Sequence, residues 1–247
     1  MSHYTLIYGT KGGVGKSTIA VNTAYAMSAS GARVGLLDLD LSGPNVQSLV
    51  DGLDGQPPTM AGFRVRPGSF GGVGVSGLGF FVQPHEASLL TGKYLVGALE
   101  QLVFHDGWDD YDHVVVDLPA GFDELHRQVF TRLPARVVLV TTSHRLSAQD
   151  LSRGRKLLRD LGVPVAGVIE NMGEITCGHC GGSSRLFPAE GHDAFDGVPL
   201  LARVPFVSER RRRPDGRAVP LVLGDETTAG DFRSSIFAAA SRLASEV

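Results

Sequence analysis

Cysteine is scarce in this sequence, since only 2 of its 247 residues are cysteines. A disulfide framework is therefore excluded, and a chain of this length needs none because it can bury roughly 70% of its unfolded surface in one core. Cys177 and Cys180 are separated by two residues, a spacing that suits a shared metal centre or a redox pair. The cysteine pair is thus a candidate site for metal chemistry.

Long apolar runs and a large net charge are also missing. No segment approaches the roughly 20 apolar residues of a membrane-spanning helix, and 23 basic against 26 acidic residues leave a net charge of −3. The sequence therefore predicts neither a membrane nor a nucleic-acid partner. We interpret the basic run at 210–213 as a solvated face, with contact to nucleic acid or an acidic partner as the alternative. The first residues show no secretory signal, so we expect a cytoplasmic protein.

Glycine, in contrast, is abundant, with 32 residues in a chain that is 43% hydrophobic. This composition indicates a folded protein with many tight turns or a backbone that approaches a ligand closely. Short apolar runs alternate with helix-period segments, which predicts an α/β fold with a doubly wound, mainly parallel sheet. We expect one domain over residues 1–247, with a loop and hairpin inserted at about 51–79. The predicted strands are Tyr4–Tyr8, Arg33–Leu37, His113–Val116, Arg136–Val140 and Val165–Ile169, and the predicted helices are Lys16–Ser30, Ala87–Phe104, Phe122–Leu133 and Ser147–Leu161.

A glycine-rich segment follows the first predicted strand, where residues 9–18 are Gly-Thr-Lys-Gly-Gly-Val-Gly-Lys-Ser-Thr. Between a strand and a helix, such a segment aims backbone N–H groups and a helix N-terminus at one point, which suits nucleotide phosphates. Lys16 would contact the β- and γ-phosphates, and the Ser17 hydroxyl would bind Mg²⁺. A ligand-free glycine turn is the weaker alternative. We expect the nucleotide to be held by Gly12, Gly13, Val14, Gly15, Lys16, Ser17 and Thr18.

Acidic side chains come at the ends of two predicted strands. Asp38 and Asp40 end the second strand, and Asp117 follows the valines at 114–116. Carboxyl ends of parallel strands lie at the ligand-binding edge of a doubly wound sheet, which predicts Asp117 beside Mg²⁺ as a Walker B aspartate. Taken singly, each aspartate would more often be a solvated or capping group. Gly121 is placed to turn its N–H toward a γ-phosphate.

Residues 11–18, Lys-Gly-Gly-Val-Gly-Lys-Ser-Thr, resemble the deviant P-loop of the MinD/ParA/Mrp/nitrogenase-iron-protein class of dimeric ATPases. That class tolerates a residue other than Gly at the position of Thr10. The resemblance implies a P-loop NTPase that hydrolyses ATP slowly with Mg²⁺, as a homodimer in which Lys11 reaches the partner's ATP. It also implies that Asp40 positions the attacking water and that Asp38 supports the Mg²⁺ shell. The expected catalytic residues are Lys11, Lys16, Asp40 and Asp117.

Within that class, the chain resembles the Mrp family of iron–sulfur cluster carrier ATPases over nearly its whole length. Residues 40–45, Asp-Leu-Ser-Gly-Pro-Asn, look like that family's Asp-x-x-Gly-Pro stretch. Residues 167–172 and 177–182 match its Glu-Asn-Met and Cys-x-x-Cys-Gly signature. By this resemblance Asn171 contacts adenine, whereas a turn or helix cap is the ordinary alternative for such an asparagine.

The cysteine pair cannot complete a metal site within one chain, because two thiolates are too few for a tetrahedral centre or a cluster. In a homodimer, two copies of Cys177 and Cys180 supply four thiolates, enough for a [4Fe–4S] cluster at the twofold axis. A glycine-rich loop at about 173–185 would expose that cluster for exchange with apo iron–sulfur client proteins. A zinc site and a reversible disulfide are the alternatives that the spacing leaves open.

The segment after Asp117 departs from the Mrp pattern. Family members usually have Leu-Pro-Pro-Gly-Thr-Gly-Asp there, whereas residues 118–124 are Leu-Pro-Ala-Gly-Phe-Asp-Glu, closer to MinD. The main hypothesis is an iron–sulfur cluster carrier whose ATP state is coupled to cluster loading or transfer through the dimer. The rival is a MinD/ParA-type spatial or partition switch that depends on ATP and has a structural zinc or redox Cys-x-x-Cys. A reductase like the nitrogenase iron protein ranks last, since those proteins use single cysteines far apart.

Overall fold

The structure is a computed structural model that describes residues 2–40, 45–62, 64–81, 92–176, 179–180, 182–186, 195, 197–207, 215–224 and 226–245. Its strands are β1 (His3–Tyr8), β2 (Val34–Asp38), β3 (Gly55–Gln56), β4 (Thr59–Ala61), β5 (Arg64–Arg66), β6 (Gly68–Phe70), β7 (Val73–Gly77), β8 (His113–Asp117), β9 (Ala135–Thr142), β10 (Val165–Thr176), β11 (Ser183–Arg185) and β12 (Leu200–Phe206). Its α-helices are α1 (Lys16–Ala29), α2 (Val46–Val50), α3 (Gly92–Leu102), α4 (Glu124–Arg132), α5 (Arg145–Asp160) and α6 (Glu226–Ser245).

One mixed sheet organises the described part of the chain. Its strand order is β11-β10-β9-β1-β8-β2-β7-β6-β3, with β12 also paired to β10. The strands from β10 to β7 run parallel, whereas β11, β6 and β3 form antiparallel pairs. Strand β1 lies between β8 and β9, where the winding of such a sheet reverses and a crevice opens beyond the strand ends. The predicted doubly wound α/β fold is confirmed.

Helices cover both faces of the sheet because the strands are apolar on both sides. In β1, Ile7 packs in a core with α1 and α6, while its neighbours Leu6 and Tyr8 pack in the opposite core with α3, α4 and α5. The last helix, α6, buries Ile236 and Leu243 in the first of these cores. Among the described residues, no helix has both the length and the apolar character needed to cross a membrane.

The predicted elements are present with shifted ends, and the largest differences follow β2. Strand β7, within the segment expected to be an inserted loop and hairpin, is buried and pairs in parallel with β2, so it is an integral part of the sheet. Its Gly74 has no room for a side chain because Tyr111 fills that space. A glycine-rich strand lacks the β-branched pattern that identifies strands in sequence. The basic run 210–213, and residues 87–91 of the predicted third helix, lie outside the described residues.

Gly35 in β2 provides a test of how closely this core is packed. A Cβ atom at Gly35 would lie 2.7 Å from two ring carbons of Trp108, a fully buried side chain whose indole N–H donates to the Leu102 carbonyl. We expect Gly35→Ala to lower the free energy of unfolding by about 1–3 kcal/mol, because the core must shift to admit the methyl group.

The matched control for this substitution is Gly97→Ala, since Gly97 lies in α3 and, in the described part of the chain, no atom from outside the helix backbone is within 4 Å of the place that a Cβ would occupy. The control should raise stability by about 0.5–1 kcal/mol through helix propensity. Urea unfolding of both variants measures the difference. Equal stabilities would contradict the tight packing around Trp108.

Candidate functional site

The loop between β1 and α1 has the backbone that a phosphate cradle requires. Gly13 and Gly15 have φ values of 80° and 87°, in the left-handed region that glycine adopts without strain. Gly15 is the N-cap of α1, which begins at Lys16. The first N–H groups of a helix have no partner within the helix, and they carry the positive end of its dipole. The loop thus has the backbone conformation that suits an anion, and its predicted role in binding phosphates stays a prediction.

Contacts from three neighbouring elements hold this loop in place. The Asn171 side chain in β10 donates to the Val14 carbonyl at 2.9 Å, and the Thr10 hydroxyl donates to the Asp150 carbonyl in α5 at 3.2 Å. Gly9 lies so close to the Val140 carbonyl of β9 that a side chain would collide with it. Thr10, which the sequence marks only as a departure from the ordinary P-loop, therefore anchors the loop to a helix.

The two lysines of the loop have different environments. Lys16 is buried, and burial lowers the pKa of its ammonium group, while the charges of Asp117 and Asp40 raise that pKa in opposition. Lys11 is exposed. The structure therefore places Lys16 among the carboxylates of the same chain, whereas Lys11 is accessible from outside, as a role at the nucleotide of a second protomer would require.

Asp38 and Asp117 lie side by side because strands β2 and β8 pair in a register that aligns them. The N–H of Leu39 also donates to the Asp117 carbonyl at 2.9 Å, which continues the pairing past the strand end. Both side chains are buried. Burial, the largest cause, raises the pKa of Asp38 to about 7 and that of Asp117 well above its ordinary value. The strand ends thus hold two adjacent carboxyl groups whose ionisation is disfavoured by burial.

Asp38 also shapes the loop that follows β2. Its Oδ1 accepts from the N–H of Asp40 at 2.9 Å, and its Oδ2 accepts from the N–H groups of Asn45 and Val46 at 3.1 Å each. These bonds lower the pKa of Asp38 and partly offset its burial. The family resemblance implied only that Asp38 supports the Mg²⁺ shell, and that role stays a prediction. Residues 41–44, which include the Gly-Pro step, lie outside the described part of the chain.

Asp117 is the residue best suited to bind a cation. Among the described residues, no protein group makes a hydrogen bond of ordinary geometry to either of its buried oxygens, although the nearby Ser17 hydroxyl and Lys16 lower the pKa of Asp117. Buried carboxylate oxygens without partners are costly unless a cation compensates them. Mg²⁺ typically takes one or two protein carboxylates and completes its shell with water and phosphate oxygens. Asp117 and Ser17 therefore fit Mg²⁺.

A cleft of about 250 Å³ opens beside the phosphate cradle, between α1, the end of β12 and the segment before α6. Buried Asn171 stands at its edge, and most of the other lining groups are apolar. The lining side chains include Val21, Asn22, Leu49, Met172, Pro205, Phe206, Leu221 and Phe232. Of the lining residues, the sequence predicted Thr18 and Asn171, because the others come from distant segments without a motif.

Strands β10 and β11 form a hairpin, and the cysteine segment lies between them in sequence. Strand β10 continues to Thr176 and pairs antiparallel with β11, so that Ile175 lies opposite Ser184. Cys180 lies between these strands and is exposed, with a free thiol. Cys177 lies outside the described residues. The structure thus joins the cysteine segment to the strand that carries Asn171.

Comparison with known proteins shows one family model and several named relatives that are similar to this chain. A family model described as ParA, NUBPL iron-transfer P-loop NTPase, matches residues 1–240. An iron-sulfur cluster carrier protein of Pseudomonas fragi is 35% identical over 210 residues, which is 83% of this chain and 73% of that protein. The protein of the same name from Haemophilus influenzae is 32% identical over 79% of this chain and 54% of its own length. The chain therefore spans only about half of some relatives.

Solved structures show the same fold. The MinD cell division ATPase of Pyrococcus furiosus superimposes with a TM-score of 0.71 at 22% identity, over 100% of both chains. A nucleotide-binding protein of Archaeoglobus fulgidus, solved in complex with ADP, gives a TM-score of 0.66 at 24% identity, over 84% of this chain and 83% of that one. At these identities, the similarity establishes the architecture alone.

The uncompensated charge of Asp117 can be tested by Asp117→Asn. A carboxyl pKa that is higher in the folded than in the unfolded protein means that stability is lost as the pH rises from the unfolded-state pKa through the folded-state one, so at pH 8 the ionisable carboxyl of Asp117 opposes folding. We expect the amide to raise the melting temperature of the metal-free protein by about 2–4 °C. The variant should also lose the additional stabilisation that Mg²⁺ gives in the presence of ADP.

Asp160→Asn is the control for this measurement, because Asp160 is a carboxylate at the end of α5 with 58% of its side chain exposed. Its melting temperature and its response to Mg²⁺ should match those of the wild type in calorimetry. A less stable Asp117→Asn protein that still responds fully to Mg²⁺ would contradict the assignment.

Proposed function

Because the chain belongs to the ParA-type family described as NUBPL iron-transfer P-loop NTPases, we propose that it carries iron–sulfur clusters as a homodimer whose ATP state controls cluster loading or transfer. The family membership bears out the resemblance to carrier ATPases. One observation carries the proposal: the strand whose Asn171 holds the phosphate loop continues into the hairpin that bears the cysteines. The names of the relatives support the cargo.

Hydrolysis in this proposal uses groups at the carboxyl ends of β1, β2 and β8. Backbone donors of the loop and Lys16 bind the phosphates, and Ser17 with Asp117 holds Mg²⁺, which when bound neutralises phosphate charge. Asp40 orients the attacking water, and Lys11 of the second protomer stabilises the charge that develops on the γ-phosphate. The exposure of Lys11 and the burial of Lys16 support this division of roles.

The nucleoside binds in the apolar cleft beside the loop. A planar base is accommodated by apolar walls with a few polar groups that fix its orientation, and Asn171 and Asn22 are the two asparagines of the lining. The Asn171 amide already donates one hydrogen bond to Val14, which leaves its carbonyl oxygen and second N–H for the base. We therefore assign adenine recognition to this cleft.

The cargo in this proposal is a [4Fe–4S] cluster held by Cys177 and Cys180 of both protomers. Each chain supplies two thiolates, and the cluster needs four ligands, so the second copy completes the set. The exposure of Cys180 supports exchange with apo client proteins, because a cluster that is passed on must be reached by incoming thiolates.

The link between the phosphate loop and the cysteine hairpin begins at a closely packed contact. Gly15 has no space for a side chain because the Asn171 amide fills the place of a Cβ, and the Met172 methyl group would be 3.4 Å from such an atom. Because no space separates these groups, a movement of the phosphate loop at Val14 and Gly15 displaces Asn171 and Met172.

Strand β10 changes course at that same point. Its regular pairing with β9 ends at Asn171, and its register with β12 shifts between Asn171 and Ile175. Met172, at φ 58°, has the left-handed conformation that residues other than glycine rarely adopt. Beyond it, the Leu186 N–H donates to the Gly173 carbonyl and closes the base of the cysteine hairpin. Met172 thus forms a bend between the phosphate loop and the hairpin.

Anaerobic reconstitution with iron and sulfide tests the cargo. The wild-type dimer should acquire the visible absorption of a cluster with about four irons per dimer, since four thiolates hold one [4Fe–4S] unit. The Cys177→Ala/Cys180→Ala variant should acquire none while its ATPase rate stays within about twofold, because neither cysteine is among the residues assigned to the phosphates and Mg²⁺. Absorption, iron analysis and ATPase assays provide these measurements.

Two results would contradict the carrier proposal. A full cluster in the double variant would show that other ligands hold it. A colourless, zinc-loaded wild type that cannot be reconstituted, together with ATP-dependent binding to liposomes or DNA, would favour a MinD/ParA-type switch instead.

The link through Asn171 can be measured by the alkylation rate of Cys180 in a Cys177→Ala background, where it is the only thiol because the chain has 2 cysteines. Saturating nucleotide should change this rate by about fivefold, the size of a modest coupling free energy. In Asn171→Ala, the rates with and without nucleotide should become equal.

Asn22→Ala is the matched control for Asn171→Ala. Asn22 is a buried asparagine of the same cleft, but it bonds to the Thr18 carbonyl and the Val222 N–H instead of β10. Nucleotide affinity is measured for each variant so that every rate refers to saturated protein. An unchanged nucleotide effect in Asn171→Ala, or its loss in Asn22→Ala, would rule out this route.

A further inference from the structure

Two buried side chains hold the segment between β8 and α4, which follows the Walker B aspartate. The Tyr8 hydroxyl donates to the Gly121 carbonyl at 2.9 Å, and the His126 Nε2 lies 3.1 Å from the Pro119 carbonyl oxygen. Tyr8 is the last residue of β1 and His126 lies in the first turn of α4; both are completely buried. Two carbonyl groups of the segment, those of Pro119 and Gly121, are thus held by side chains that lie outside it.

The hydrogen bond of His126 to Pro119 does not depend on the charge of the imidazole. A carbonyl oxygen can only accept, so Nε2 carries the proton. The other nitrogen, Nδ1, lies 3.2 Å from the Asp123 backbone nitrogen and 2.8 Å from the Asp123 Oδ1. Neutral Nδ1 accepts from the N–H, and protonated Nδ1 donates to the carboxylate. In both states His126 holds the segment at Pro119 and at Asp123.

Aromatic packing prevents these two side chains from turning away. The Tyr8 ring meets His126 and Phe130 edge to face, with centroids 5.5 Å and 5.3 Å apart. Phe122 stacks on Phe130 at a centroid distance of 6.3 Å, and 43% of Phe122 is exposed. Phe122 is the bulky residue at the position where the Mrp pattern has Thr. Here it covers the cluster that holds the segment.

The two held carbonyls lie on either side of one peptide. The Pro119 carbonyl fixes the plane of the 119–120 peptide, and the Gly121 carbonyl fixes that of the 121–122 peptide. The peptide between them bears the N–H of Gly121, whose φ is 90°. No atom of the described residues beyond its chain neighbours lies within 4 Å of a Cβ position at Gly121. That N–H is the donor expected to face a γ-phosphate.

We propose that Tyr8 and His126 are positioning residues for ATP hydrolysis. They hold the 119–120 and 121–122 peptides in place, so that the peptide between them turns its Gly121 N–H toward the γ-phosphate while its neighbours stay fixed. This inference rests on the proposed ATPase function. Because Tyr8 directly precedes the phosphate loop, the same side chain keeps that loop and residues 118–123, which we name the second switch, at a fixed separation. Preorganised donors stabilise a transition state without reorganisation during the reaction.

The substitution Tyr8→Phe tests this role, since it removes one hydroxyl and keeps the ring. We expect kcat for ATP hydrolysis to fall about two- to tenfold, as for the loss of one hydrogen bond that supports the transition state. ADP affinity should not change, because ADP has no γ-phosphate. The control is Tyr25→Phe, which removes an equally buried hydroxyl that donates to the Phe70 carbonyl at 2.8 Å, away from this segment.

Two substitutions of His126 separate its contacts. His126→Gln keeps an amide donor that can reach the Pro119 carbonyl and should retain most of the wild-type kcat. His126→Asn is too short for that contact and should lower kcat as Tyr8→Phe does. Calorimetry of all four variants shows whether each is folded at the assay temperature.

The ATPase assay distinguishes a failure of the proposed function from a failure of the positioning role of Tyr8 and His126. A wild-type protein without ATPase activity would overturn the proposed function itself. An active wild type with Tyr8→Phe and His126→Asn equal to it, or with Tyr25→Phe equally impaired, would overturn the positioning role alone.

Discussion

The register of three parallel strands is the constraint on which the candidate site depends. In β1, β8 and β2, Ile7 lies opposite Asp117, which lies opposite Asp38. The phosphate loop leaves β1 two residues after Ile7, so the loop and both carboxylates reach the same level at one edge of the sheet. A shift of one residue in either pair would turn a carboxylate to the opposite face. The apolar residues on both faces of these strands prevent that shift.

The same register places two carboxyl groups next to each other in a buried site, where their ionisation is disfavoured. Asp38 and Asp117 are buried beside each other, and each is disfavoured as a charged group by burial. Asp38 is partly compensated by three backbone N–H groups, whereas the oxygens of Asp117 have no such partners among the residues that the structure describes. A cation bound there would offset this cost, because it would compensate the buried carboxylate oxygens. The unequal compensation of the pair also indicates a division between a loop-holding and a metal-binding aspartate.

Side chains from outside the motifs connect the parts of the site. Asn171 joins the phosphate loop to β10 and the cysteine hairpin, and Tyr8 joins the phosphate loop to the second switch. In each case one hydrogen bond to a backbone carbonyl connects segments more than a hundred residues apart in sequence. Because these contacts are buried and closely packed, a movement at one end displaces the other end instead of being absorbed. The phosphate loop is therefore mechanically connected to both regions that the proposed cycle moves.

The sequence by itself determined the fold class, the phosphate loop and the acidic strand ends, since each depends on residues that are close together in the chain. The glycines of the loop, the helix start at Lys16 and the apolar runs before Asp38 and Asp117 act through local conformation and strand alternation. Only the tertiary structure decided that β7 is a sheet strand, that Thr10 anchors to α5, and that Tyr8, His126 and Asn171 hold the segments that the proposed mechanism moves. A buried tyrosine or histidine has no periodic signature, because its role is fixed by which carbonyl group the folded chain brings within reach of its donor.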